Sequence, residues 1–146
     1  MGYIVLQLLI GTVPLWVGYV LNAIITVMPI PIAFISLLLL FLWMLLCYRS
    51  CVPHRSPIAQ AAYLSGFGFV MLLLVAYQTL IRGSMWVSWF GLATQIYFLP
   101  GLLPAATILS PFIKSTSMLL IMAVEMVMLF LLALTGCMLK AKKFRK

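Results

Sequence analysis

The chain has 146 residues, 66% of them hydrophobic and 7% charged, with a formal net charge of +8 and a mean hydropathy of +1.28. Soluble domains carry an apolar share nearer one half, so this composition excludes a water-soluble globule. A hydrocarbon core ~30 Å thick takes roughly 20 helical residues to cross, so the length suits about four or five spans with short connections and no sizeable soluble domain.

The N-terminal stretch MGYIVLQLLIG has no cation ahead of its apolar run and no small-x-small cleavage pattern. It reads as a retained first helix rather than a signal peptide, and Leu6 stands where a myristoylation motif wants Ser or Thr. That helix is expected over residues 3–28. Pro29 and Pro31 cannot continue a hydrogen-bonded helix, so they turn the chain into a hairpin, and Pro31 suits the first turn of the next helix. The second helix, 32–48, is a run of Leu, Ile and Phe with little polar or small character, which predicts that it mostly faces lipid.

The interruption RSCVPHRSP ends the second helix, and Ser56-Pro57 reads as a helix cap followed by proline at the first helical position, starting a third helix over 57–81. Arg82-Gly83-Ser84 closes it, and Trp86, Trp89 and Tyr97 are residue types that favour the headgroup level. Residues 84–110 are apolar enough for a further span but are cut by Pro100-Gly101 and Pro104. Ser110-Pro111 repeats the cap-then-proline signature and predicts a last helix over 111–139, followed by a basic tail, 140–146. No internal repeat is visible.

Charge arbitrates the span count, because cations collect on the cytoplasmic side. Four spans place seven cations (Arg49, Arg55 and the five of the tail KAKKFRK) against two, Arg82 and Lys114; five spans give six against three. The expected architecture is therefore a single all-α integral membrane domain over residues 1–146. It has four transmembrane helices, with a broken re-entrant or interfacial helical segment between the third and fourth. Both termini are expected in the cytoplasm, with the protein in the plasma membrane (bacterial inner membrane first) or an organellar inner membrane. Non-helical backbone at membrane depth needs protein or water to cover it, so the broken segment must pack on something.

The sole acidic residue, Glu125, lies in the apolar stretch LLIMAVEMVMLFLL. An ionised carboxylate there costs a few kcal/mol, so protonation or pairing is expected. Three roles are open: packing glue through a hydrogen bond to a neighbouring helix, proton or cation coupling, and pairing with a basic residue of another subunit. Asn22 and Gln78 are the candidate neighbours by depth. On the first helix Gln7, Gly11, Pro14, Gly18, Asn22 and Thr26 recur at three to four residues, which makes one small, polar face, a packing seam or the lining of a small pathway. On the third, Ala61, Ala62, Ser65, Gly66 and Gly68 imply close helix contact, so Gly11, Gly18, Ala61, Ser65 and Gly66 are the packing candidates.

In the tail, Lys140, Lys142, Lys143, Arg145 and Lys146 form an orientation signal that can also attract anionic lipid headgroups or an acidic partner. Seven residues make too small a footprint for nucleic acid. Cys47, Cys51 and Cys137 fall near that same face and, if it is cytoplasmic, are expected as thiols, with reversible acylation as the functional alternative. Cys47, Cys51 and His54 lack a fourth ligand and Pro53 breaks their helix, so no metal site is expected. A lone histidine excludes bis-histidine haem ligation within the chain. Met118, Met122, Met126 and Met128 read as adaptable packing rather than a copper site.

No catalytic set emerges. His54 lies near the inner face and Glu125 in the other half, no second carboxylate exists to build a metal-phosphate site, and no glycine-rich phosphate loop is present. No cofactor is expected. Two functions remain. The first is a non-catalytic subunit or assembly partner of a larger membrane complex; the second is a small homo-oligomeric transporter that couples a proton or cation through Glu125. In size and helix count the second resembles the small four-helix drug exporters, which also use a membrane-buried glutamate. Here the acid is on the last helix rather than the first, the chain is longer and no motif is shared.

Overall fold

The computed structural model describes residues 2–25, 32–83, 89–111 and 117–144. Thr26, the Pro29-Pro31 turn, Ser84, Trp86, Lys114, Arg145 and Lys146 lie outside the described residues. Most of the described residues are helical, with no strand among them: α1 (Gly2–Ile10), α2 (Val13–Ile25), α3 (Ile32–Ser50), α4 (Pro57–Leu80), α5 (Trp89–Phe98), a 3-10 turn (Leu99–Gly101), α6 (Leu102–Leu109) and α7 (Met118–Lys143). Five stretches are long and apolar enough to cross a membrane: Gly2–Ile24, Ala33–Ser50, Pro57–Leu80, Gly91–Leu109 and Met118–Lys143.

The first expected helix is two helices. Pro14 has no N–H to return to Ile10, and Leu15 donates instead to the Thr12 carbonyl at 3.0 Å, tightening the backbone into a turn at Gly11-Thr12. The Gly11 carbonyl is thereby released from its usual helical partner. It accepts a hydrogen bond from the Tyr97 hydroxyl at 3.4 Å, which ties the break to α5.

α4 starts where the cap-and-proline signature predicts, although the Ser56 side chain makes no capping bond, and it ends before Gly83, whose φ of 67° only glycine adopts without strain. Ser110-Pro111 has a different role from the one its sequence suggests. Ser110 caps the C-terminus of α6, with its hydroxyl donating to the Thr107 carbonyl at 3.0 Å, and α7 is capped by Ser117, whose hydroxyl accepts from Leu120 N–H at 3.3 Å. A cap-then-proline pair fits both helix ends, because proline is tolerated in a first turn and also follows C-caps. α7 continues to Lys143, so Lys140, Lys142 and Lys143 form its last helical turn, where cations face the negative end of the helix dipole.

α7 is the axis of the fold, packing most extensively on α4 and α3. α3 is exposed along most of its surface, yet Ser36, Leu40, Trp43, Cys47 and the following Cys51 form one buried stripe at helical spacing. Trp43 Nε1 donates to the Leu129 carbonyl of α7 at 3.1 Å. Near the ends of α3 and α7, a Cβ on Gly136 would lie 2.7 Å from the Met44 carbonyl oxygen. That close approach brings Cys51 and Cys137 together with Cα atoms 5.3 Å apart, within the range a disulfide would span, beside the buried Cys47. The cysteine spacing carries no sign of this juxtaposition, which depends on the α3–α7 contact.

Candidate functional site

Two polar centres are built into this bundle. The first surrounds Glu125. It belongs to the buried stripe of α7, Met122, Glu125, Met126, Leu129, Ala133 and Cys137, and is itself fully buried. Opposite it the α5–α6 stretch breaks. Pro100 sits in the first positions of the 3-10 turn, and Pro104 falls in the first turn of α6, where its missing N–H leaves no helical bond unmade.

The Gly101 N–H at this break donates to Glu125 Oε1 at 2.8 Å. A Cβ at Gly101 would stand 2.5 Å from that oxygen, so glycine is what lets the backbone reach the carboxyl. Glu125 Oε2 has no hydrogen-bond partner among the described residues.

Around this bond the packing is close. A Cβ at Gly68 of α4 would come within 2.6 Å of the Tyr97 hydroxyl and 2.7 Å of the Met126 sulfur. The Tyr97 ring meets Phe98 edge-on, with centroids 5.0 Å apart, and both residues are buried. Gly18 of α2 lies against the Ile96 carbonyl, where no side chain fits. The broken α5–α6 stretch is thus seated on α2, α4 and α7 of its own chain.

The second centre is Gln60, in the first turns of α4 and 2% exposed. Its Oε1 accepts from Val52 N–H at 2.6 Å, from the Tyr3 hydroxyl and from Gln7 Nε2 at 3.3 Å. Its Nε2 donates to the carbonyls of Val52 at 3.0 Å and Arg55 at 3.2 Å. One side chain thus satisfies the loop between α3 and α4 and fastens α1 to it. The Arg55 guanidinium lies 4.7 Å from the centroid of the Tyr3 ring, a cation–π contact. Nearby, Lys140 Nζ donates to the Arg49 carbonyl at 2.6 Å. A groove of about 830 Å³ at this basic end is lined by His54, Arg55, Lys142 and Phe144, among others.

The residues singled out in the sequence are distributed as follows. Asn22 is exposed on α2. Gln78 is fully buried, and neither of its side-chain polar atoms has a partner among the described residues. It lies about 15 Å further along α4 than Gly68, whereas Glu125 is adjacent to Met126 at Gly68, so Asn22, Gln78 and Glu125 are not brought together. Gly11 meets the Leu64 carbonyl of α4, Gly18 meets α5, Ala61 and Ser65 are buried, and Gly66 faces only a Leu8 methyl. Lys140, Lys142 and Lys143 line the basic end. Gln60 and Gly101 were not among the sequence candidates. The available signal was a glutamine just inside a helix that follows a loop with unmet backbone groups, and a glycine after a proline within a long apolar stretch.

Fold and site together define an all-helical chain, compatible with a multi-pass membrane protein, with a carboxyl-to-backbone latch in its centre and a glutamine-centred clamp at its basic end. No protein-family model, curated protein or solved structure matches it.

Proposed function

We propose that this protein is a non-catalytic component of a larger membrane assembly, a subunit or stabilising partner, in which Glu125 serves as a structural latch. The observation that carries this reading is the position of the sole acid. One of its oxygens is committed to the Gly101 N–H, and the carboxyl is fully buried against packed backbone at Gly101. A further support is charge: with Glu125 buried in the core, the cations of the basic end have no acidic side chain to meet within the chain. An acidic partner subunit or anionic lipid is the natural source of countercharge.

The topology that goes with this function has four crossings, with α5–α6 as a re-entrant hairpin whose apex is Leu99–Gly101. Its support is that Tyr3 and Lys140, near opposite ends of the chain, both contact the region where α3 ends and α4 begins. α4 leaves that end and α7 returns to it, so the segment between them starts and finishes at the far end. On the positive-inside rule the basic end, and with it both termini, is cytoplasmic.

A second reading, a small oligomeric carrier coupled to a proton or cation, is favoured by Glu125 Oε2, which is buried without a partner. The two readings separate on Glu125→Gln. The amide retains an oxygen to accept from Gly101, so a latch survives and the species extracted in mild detergent keeps its mass and composition. A carrier loses proton-linked uptake while remaining folded. Extraction as a hetero-complex supports the subunit reading; extraction as a homo-oligomer whose transport is abolished by Glu125→Gln overturns it.

A further inference from the structure

α2 and α3 are consecutive, yet they stand apart: α2 packs on α5 and the Leu99–Gly101 turn, and α3 on α7. Between them is an open cleft of about 600 Å³. Its walls are apolar, including Val13, Val17, Leu39 and Trp43, and Pro100 of the 3-10 turn forms part of its floor. Among the described residues the one charged residue lining it is Arg49, which is exposed at the basic end. Lys140 is fixed beside Arg49 through the 2.6 Å bond to its carbonyl.

The geometry points to a binding site for one anionic phospholipid, with its headgroup phosphate on Arg49 and Lys140 and an acyl chain in the α2–α3 cleft. Three features converge on that occupant. From Arg49 to Leu39 the cleft runs about 15 Å at the helical rise, half of a ~30 Å hydrocarbon core and so the reach of one leaflet's acyl chain. The apolar walls open sideways between two helices, where a lipid enters without leaving the membrane. Lys140 lies about 22 Å along α7 from Glu125, the sole acidic side chain, so the countercharge for Lys140 and Arg49 comes from elsewhere, and guanidinium matches phosphate in a bidentate fashion. The site is independent of whether the protein works alone or within a complex.

Trp43 lines the cleft but is only 5% exposed, which makes it a selective reporter. Trp16, Trp86 and Trp89 are replaced by Phe in the full chain, leaving Trp43 as the only tryptophan. The purified protein in zwitterionic detergent is then titrated with dibrominated phosphatidylglycerol, dibrominated phosphatidylcholine, or inorganic phosphate followed by the brominated lipids. Phosphatidylglycerol is expected to quench Trp43 saturably, with half-saturation at least tenfold below that of phosphatidylcholine. Arg49→Gln is expected to remove that preference while leaving the circular dichroism unchanged, and Lys140→Gln to reduce it, which gives a second route should the first variant fold poorly. Equal quenching by the two lipids, or a preference that survives both substitutions, overturns the proposal. Displacement of the lipid by millimolar inorganic phosphate also overturns it, since the site would then recognise a free anion without need of the acyl chain.

Discussion

Two glutamines on the same helix, Gln60 and Gln78, are both buried in α4, and they could hardly be treated more differently. Every polar atom of the Gln60 side chain is used, joining α1, α4 and the loop after α3. Neither polar atom of Gln78 has a partner among the described residues. The difference follows from what each end of α4 must satisfy. At the basic end the chain turns irregularly between α3 and α4, exposing backbone groups that a side-chain amide can meet; along the far half the helix satisfies its own backbone, and a buried amide meets no group among the described residues that needs it.

The largest expected effect is at the first of these. Gln60→Leu keeps the volume but strips partners from the Val52 N–H and from the carbonyls of Val52 and Arg55. At about 1–3 kcal/mol for each group left unsatisfied, partly offset where water reaches the loop, a loss of about 3 kcal/mol is expected in an SDS unfolding titration. Tyr3 should lose protection at the same time. A loss under about 1 kcal/mol would show that the clamp contributes little and that the α3–α7 contact holds this end unaided.

The middle of the bundle is held by close backbone approach as well as by the Glu125 latch, and Gly18 tests the close approach. An alanine Cβ there overlaps the Ile96 carbonyl, a backbone atom that cannot swing aside, so Gly18→Ala is expected to cost about 2 kcal/mol. Gly66→Ala is the control. Its Cβ meets only the Leu8 Cδ2 methyl, at 3.2 Å, and alanine is the better helix former by up to about 1 kcal/mol, so stability should be unchanged or raised. If both alanines are equally tolerated, α5 is not seated on α2 as described.

How much of this was legible in the sequence depended on contrast. The all-helical architecture, with several stretches long and apolar enough to cross a membrane, was plain from composition, and the break at Pro100-Gly101 was plain because proline and glycine act locally. The small face of the first helix was visible because Gly11 and Gly18 stand out among aliphatic residues. The buried stripe of α3 was not, since Leu and Phe surround the helix and give no apolar-to-polar contrast from which to read a rotation. The Gly101–Glu125 bond and the Cys51–Cys137 juxtaposition join residues far apart in the chain, and no local spacing encodes them. The same holds for Gln60, whose importance lies in what the loop before it lacks.

The smallest effect is expected at Gln78, and it is the most informative about what the far half is for. A buried amide with no hydrogen bond among the described residues has been desolvated without return there, so Gln78→Leu should leave stability unchanged or raise it by about 1 kcal/mol, read in the same SDS titration. A membrane helix gains nothing from keeping such a group for folding alone. If Gln78→Leu stabilises the isolated chain but weakens its retention in the complex extracted in mild detergent, the amide is reserved for a polar group that another subunit supplies. If instead the substitution destabilises the isolated chain by more than about 1 kcal/mol, Gln78 is already satisfied within it, and the contrast with Gln60 dissolves.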